Sequence, residues 1–298
     1  MSATIATPAT PTGLASPVRE RSQRSWLQQL LRNPLGVVGL AAVLLTVIMA
    51  VGAPVIAPYS PANQDAARLL GPSWQHIFGT DELGRDTFSR IVYGARISIL
   101  VGVVAVLIAF VVGGMLGIAA GFFGGKVDSV IMRFVDILFA FPGLILAIVI
   151  AGLLGPSSRN AMIAIGVIYA PAFARVVRGS VLGVLSELYI ESARISGAST
   201  LSVIGRHVLP NIVAPLIVLV TVYLSSSIIA EASLSFLGLG AQPPTPSWGG
   251  MLNAARTYME INPWMAIAPG LAIMLIVLGL NFLGDGLRDV LDPRLRER

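Results

Sequence analysis

At 298 residues, with 55% of them hydrophobic, 12% charged and a mean hydropathy of +0.82, the chain carries more apolar side chain than one soluble core can bury, which marks an integral membrane protein. The net charge of +5 is spread as arginines flanking apolar runs, a topology pattern and not a nucleic-acid footprint. The count of zero cysteines excludes a disulfide framework, thiol chemistry and any cysteine-based metal or iron–sulfur site.

Residues 1–33, rich in Ser, Thr, Pro and Arg, read as a mobile tail in which Trp26 to Leu31 forms a short interfacial helix. No apolar segment of a cleaved signal peptide occurs in it, and the apolar run of about 22 residues from Leu35 to Ile56 predicts an uncleaved first span. Residues 34–95 hold this span and an external loop. Within the loop, Leu83, Phe88 and Ile91 beside Arg85, Asp86 and Arg90 predict an amphipathic helix on the outer surface, either solvated or in contact with a partner.

The second span draws on Ile97 to Gly125, where Gly113, Gly117 and Gly121 recur every four residues and let another helix approach closely. The third, Ile137 to Leu154, is broken at Phe141-Pro142, and the fourth, Ala161 to Ala174, is kinked at Pro171 with Arg175 and Arg178 snorkelling at its end.

A polar stretch from Tyr189 to Asn211 follows. Gly197 suits the positive φ that ends a helix, Ser199 suits an N-cap, and Leu201, Ile204 and Val208 make one stripe of a second short helix that Pro210 closes. The expected shape is a knuckle of two short helices. Its Glu191-Ser192-Ala193, then Gly197-Ala198, then His207-Val208-Leu209-Pro210, resembles the EAA loop of ABC importer permeases, departing from it at Ser192 and His207. The resemblance implies that Glu191, Ser192, Ala193, Gly197, Ala198, His207, Leu209 and Pro210 belong to a loop, 185–211, that docks to a partner ATPase.

Ile212 to Ala230 gives the fifth span, with Pro215 in its first turn and Glu231 at its far end; Leu237 to Pro263 reads as a loop, and Trp264 to Leu283 as the sixth span. An ionised carboxylate facing lipid costs on the order of 2.5 kcal/mol at the bilayer centre, so Glu231 is expected at a subunit interface, on a pathway or in a hydrogen bond to a neighbouring helix. Asp136 and Pro142 are further pathway or interface candidates. Six spans place both termini on one side, and 14 of the 20 Lys and Arg residues fall there, which makes that side cytoplasmic.

No catalytic constellation emerges. His76 and His207 lie on opposite sides in this topology, and no Gly-rich loop ends in Lys-Ser or Lys-Thr, so any ATP hydrolysis belongs to another chain. No cofactor or metal is expected.

Three longer stretches, HIFGTDELGRDTFSR, EASLSFLGLGAQPPTPSWG and GDGLRDVLDPRLR, extend the resemblance to nearly the whole chain after the tail. They are similar to the C-type permease of dipeptide, oligopeptide and nickel ABC importers. This implies an all-α membrane protein with the six-helix type I ABC importer fold in the inner membrane. It further implies a permease domain over 96–286, a cytoplasmic C-terminal tail over 287–298, and as partners a second permease, two ATP-binding subunits and an external solute-binding protein. The implied cargo is di- or oligopeptides, with nickel or another small solute as the alternative. An ion-coupled secondary transporter is the competing class, against which stands the lack of an internal repeat.

Overall fold

The computed structural model describes residue 31 and residues 33–291. The expected interfacial helix at 26–31 and most of both tails lie outside them. All regular elements among the described residues are helical, apart from one isolated bridge between Thr80 and Asp86.

Helix α1 (Pro34–Val51) starts where the Asn33 side chain accepts from the N–H groups of Leu35 and Gly36, with Pro34 preset in the first turn. The short α2 (Ala53–Ile56) follows. Helix α3 (Thr87–Phe123) is 37 residues long and corrects two expectations at once. The predicted outer-surface helix and the second span are one continuous element, rooted where the Asp86 carboxylate accepts from the Ser89 N–H at 2.7 Å. Arg85, Arg90 and Asp81 are all buried there, because Arg85 Nε donates to Asp81 at 2.6 Å and Arg90 Nε lies 3.4 Å from the same oxygen. Burial of these charges is tolerable only because Asp81 and Glu82, whose Oε1 accepts from Arg85 Nη2 at 3.0 Å, together offset the two guanidinium groups.

Helices α4 (Gly125–Phe139) and α5 (Gly143–Leu154) meet at a 91° bend. The break at Phe141-Pro142 stands where the sequence put it, but a full helix precedes it from Gly125, launched by positive φ at Gly124 and Gly125. Helix α6 (Ser158–Leu185) runs well beyond Ala174 through Pro171. Then come α7 (Leu188–Ile195), α8 (Thr200–Val203), a π-helical turn over Ile204–Val208, and α9 (Leu209–Phe236). Helix α10 (Trp248–Ala255) lies within the segment expected to be loop, and α11 (Trp264–Leu291) extends past both Leu283 and the expected tail boundary at 286. Among the described residues, five helices are long and apolar enough to cross a membrane, and the bent α4–α5 pair makes a sixth crossing if its arms count as one.

The interior is rich in small residues: Ala95, Ala105, Ala109, Ala147, Ala151, Ala161 and Ala164 are buried beside a few large ones such as Phe173 and Trp248, whereas Val38, Ile48, Leu107, Met115 and Leu153 point outward. That inversion of a soluble core suits packing in lipid, where close helix approach replaces the hydrophobic effect. The glycine series forms the α3–α6 seam: a Cβ on Gly117 would lie 2.5 Å from the Ala174 carbonyl, and one on Gly121 would lie 2.9 Å from Val181 Cβ. A second close crossing joins α1 to α11, where a Cβ on Gly39 would lie 2.6 Å from the Gly279 carbonyl. The loop 57–86 and α10 lie at one end of the bundle, with the Trp248 indole N–H donating to the Ile91 carbonyl at 3.0 Å. The α7–α8 knuckle lies at the other, where the Arg194 guanidinium sits 5.6 Å over the Phe122 ring.

Candidate functional site

The knuckle is a glycine-terminated helix followed by a serine-capped one. Gly197 has φ +83; its N–H donates to the Arg194 carbonyl and the Ala198 N–H reaches back to the Ala193 carbonyl, both at 3.0 Å. These two bonds make a complete Schellman cap. Ser192 Oγ donates to the Leu188 carbonyl and the Ser192 carbonyl accepts from Ser196, so this residue stitches the helix it lies in. Ser199 then accepts from the Ser202 N–H and opens α8.

The second short helix does not close at Pro210. Pro210 lacks the N–H that would bond the preceding turn, and the chain accommodates it by widening Ile204–Val208 into a π-turn while Asn211 Nδ2 donates to the His207 carbonyl at 2.7 Å. Leu209 and Pro210 are therefore the exposed first turn of α9.

Ile190, Val203 and Val208 anchor the knuckle in a cluster with Phe173, Val177 and Val181 of α6. Burying those three aliphatics contributes roughly 1.5–3 kcal/mol each. The opposite side is apolar yet open: Leu188, Ile195 and Leu201 are 79%, 81% and 82% exposed. Glu191 is exposed on the same element, and His207 is half-buried with its ring 6.0 Å from that of Tyr189. A rigid turn that holds three large apolar side chains outward at a polar end is shaped for contact.

Two ion pairs brace the bent pair against α6. Arg178 grips the Asp128 carboxylate through Nε and Nη2, the latter at 2.5 Å, and Arg175 Nη2 donates to Asp136 at 2.7 Å while its guanidinium lies 4.3 Å over the Phe139 ring. The snorkelling expected of both arginines is replaced by partners on α4. Asp136 is exposed, and Pro142 is exposed at the N-cap position of α5.

Glu231 belongs to a different region. It stands about 32 Å along α9 from Pro210 at 1.5 Å per residue, and it is 1% exposed. Its Oε1 accepts from Ser235 at 2.7 Å and its Oε2 from Ser98 of α3 at 3.1 Å. No cation among the described residues lies within ion-pair distance of it. The carboxyl thus bridges two spans inside the bundle, so the predicted residues form one contiguous group at the knuckle, a second at the α4–α5 bend, and Glu231 apart.

Sequence reading missed the outward trio on the knuckle, the Arg178–Asp128 grip and the cluster at the opposite end of the bundle, in which His76 Nδ1 lies 2.9 Å from Asp86 Oδ1. The recurrence of Leu188 and Ile195 seven apart held the first signal. The other two depend on which helices meet.

Against this geometry stand the comparisons with known proteins. The family described as "binding-protein-dependent transport system inner membrane component" matches residues 113–297, and the "N-terminal TM domain of oligopeptide transport permease C" matches residues 22–72. The chain is 45% identical, over 92% of its length and 90% of the relative, to the dipeptide transport system permease protein DppC of Alkalihalophilus pseudofirmus. It is 47% identical, over 94% and 95%, to the glutathione transport system permease protein GsiD of Pectobacterium atrosepticum. It is 45% identical, over 94% and 93%, to the di/tripeptide transport system permease protein DppC of Pseudomonas aeruginosa. Among solved structures, an inward-facing MetNI methionine ABC transporter chain matches with a TM-score of 0.57 at 20% identity, over 68% of this chain and 97% of that one, a likeness of fold.

Proposed function

Because the chain belongs to the family of binding-protein-dependent transport system inner membrane components, we propose that it forms half of an import pathway whose ATP is hydrolysed on separate subunits. In this reading it pairs with a second permease, engages two ATP-binding subunits and receives solute from an external binding protein. The cargo is a di- or oligopeptide, supported by the names of relatives at 45% identity, with glutathione as the neighbouring choice. Both termini and the knuckle face the cytoplasm, where ATP is available.

The observation that carries the reading is the knuckle: a Schellman-capped turn, anchored by Ile190, Val203 and Val208, that holds Leu188, Ile195 and Leu201 out of the bundle. The mechanism follows from rigidity. The loop 185–211 inserts in a groove of an ATP-binding subunit, Glu191 sits at the rim, and closure of the ATP-binding pair displaces the knuckle as one body. The α4–α5 bend and the close α3–α6 seam give the permease places to pivot and places to stay packed. ATP and loaded binding protein favour the outward-open arrangement only by binding it better than the inward-open one.

The experiment is copurification. Leu188→Asp combined with Leu201→Asp places two charges on the contact while sparing the buried anchors. The double variant is expected to reach the membrane in normal amount, lose the ATP-binding subunits and stop peptide uptake. Retention of those subunits with undiminished uptake sinks the docking role.

A further inference from the structure

At the end of the bundle opposite the knuckle, residues 70–80 of loop 57–86 close on themselves. The Thr80 N–H donates to the Leu70 carbonyl at 3.0 Å, the Leu70 N–H to Thr80 Oγ1 at 2.9 Å, and the Thr80 hydroxyl to the Ala67 carbonyl at 2.7 Å. At the tip, the Ser73 N–H donates to the His76 carbonyl and the His76 N–H to Ser73 Oγ. Gly79, at φ +73, lets the two arms meet so closely that a Cβ there would lie 2.1 Å from the Leu70 carbonyl oxygen. The buried Asn262 amide donates to the Leu70 and Thr80 carbonyls together, which rivets the closed loop to the segment that opens α11.

A loop pinned in this way cannot fold its tip inward, and it holds large apolar side chains out. Trp74 is fully exposed, Ile77 and Leu70 are exposed beside it, and so is Ile261, next to the Asn262 rivet. A tryptophan left wholly in water forgoes the burial that its large apolar body ordinarily gains. No Lys, Arg, Asp or Glu occurs from Leu69 to Thr80, and the one titratable side chain there, His76, is buried against Asp86. An uncharged apolar patch on a stiff loop is a contact surface.

The height of the loop along the bundle selects the medium that meets it. Phe78 packs against Ile91, Met251 and Ala268, and its ring stacks on that of Trp264 with centroids 6.4 Å apart. Trp264 heads an outward stripe of α11 that continues through Ile267, Leu271, Met274 and Leu278. From Trp264 to Gly284 the helix carries no charge, a length of about 30 Å that matches the hydrocarbon core of a bilayer. Trp264 therefore stands where hydrocarbon gives way to headgroups, the depth at which tryptophans concentrate. The exposed patch is continuous with that stripe through Phe78 and has no charge with which to steer a soluble protein. We propose that the closed loop 70–80 is a membrane anchor: Trp74 and Ile77 enter the lipid headgroup layer opposite the knuckle and, through Phe78 and Asn262, fix loop 57–86 against the first turn of α11. The partner is the phospholipid interface itself, recognised by apolar burial and not by headgroup charge.

The chain contains no cysteine, so Trp74→Cys gives a single attachment point on it for a nitroxide, at a side chain whose full exposure spares the fold. The assembled transporter in phosphatidylcholine vesicles is compared with the same complex labelled through Gln64→Cys, an exposed position of the same loop, and unsubstituted complex taken through the labelling is the blank. Collision with a water-soluble nickel chelate, set against collision with oxygen, is expected to place position 74 in the headgroup layer, with chelate access roughly threefold or more below that at position 64. Ile77→Cys should read alike, and neither value should move on adding phosphatidylglycerol or raising the salt, since no charge holds the loop. Equal chelate access at positions 74 and 64 overturns the anchor. Protection of position 74 that appears only when the external binding protein is added overturns it in favour of a protein contact, and a label shielded from chelate and oxygen alike overturns it in favour of a neighbouring subunit.

Discussion

Gly117 is where the packing of the spans is most sharply testable. Converting a helical glycine to alanine normally stabilises a helix by up to about 1 kcal/mol, because glycine carries the larger backbone entropy. At Gly117 the new Cβ would lie 2.5 Å from the Ala174 carbonyl and 2.7 Å from Val177 Cβ, against ordinary contact from 3.4 Å, so α3 and α6 must part by about 0.9 Å. Overpacking of that kind costs roughly 1–3 kcal/mol, and a gap near 1 Å also forfeits up to half of the dispersion attraction along the seam. The clash therefore outweighs the propensity gain. Gly114, on the same helix, has nothing within 4 Å of its Cβ position and should keep the gain. The difference between Gly117→Ala and Gly114→Ala is thus expected at about 1–3 kcal/mol, read by equilibrium unfolding in mixed micelles at fixed lipid and detergent. Equal stability of the two variants, or a more stable Gly117→Ala, refutes the close-approach account of the seam.

Gly197→Val should abolish uptake, since Val at φ +83 resists the left-handed conformation although no atom lies within 4 Å of its Cβ; Gly197→Asn should retain much of the activity, and equal uptake by both variants counts against the turn. A double-mutant cycle should find a larger coupling between Arg178 and Asp128, bidentate and partly buried, than between the exposed Arg175 and Asp136, for which about 0.2–1 kcal/mol is expected and should fade with salt. Glu231→Gln should assemble and transport within a few-fold of the unchanged protein, whereas Glu231→Leu should cost on the order of 2 kcal/mol by stranding Ser98 and Ser235; loss of transport with intact assembly in Glu231→Gln would instead put the carboxyl on the pathway.

The spans were legible because apolar runs of membrane length have no other home, and the glycine series and the Gly197–Ser199 turn were legible because backbone conformation leaves few residue choices at such points. Boundaries were not. A charge normally ends a span, yet Arg85 and Arg90 are swallowed into the root of α3 because Asp81 and Glu82 together offset the two cations, a pairing invisible until the chain folds. Pro210 normally stops a helix, yet a π-turn and the Asn211 amide carry it through. Gly39 looks like any glycine in an apolar run, and only the α11 backbone at Gly279 and Leu283, 240 and more positions away, gives it a reason. The short α10 was hidden among prolines, where eight residues offer too few turns for periodicity to speak. Glu231 was legible as a buried acid, but its serine partner on another span was not.

The π-turn has a mechanical consequence. Since Pro210 does not break the chain, Thr200 to Phe236 is a single strut of 37 residues, about 55 Å long at 1.5 Å per residue. One end adjoins the exposed knuckle, and the other carries Ser235, hydrogen-bonded to Glu231, towards the opposite end of the bundle. A tilt of about 10° about one end of such a strut would sweep the other through roughly 10 Å. A lever of that length needs no relay of small side-chain adjustments between the two ends of the bundle; it needs only a soft spot, and the widened turn with Pro215 one helical turn beyond Asn211 supplies it next to the knuckle.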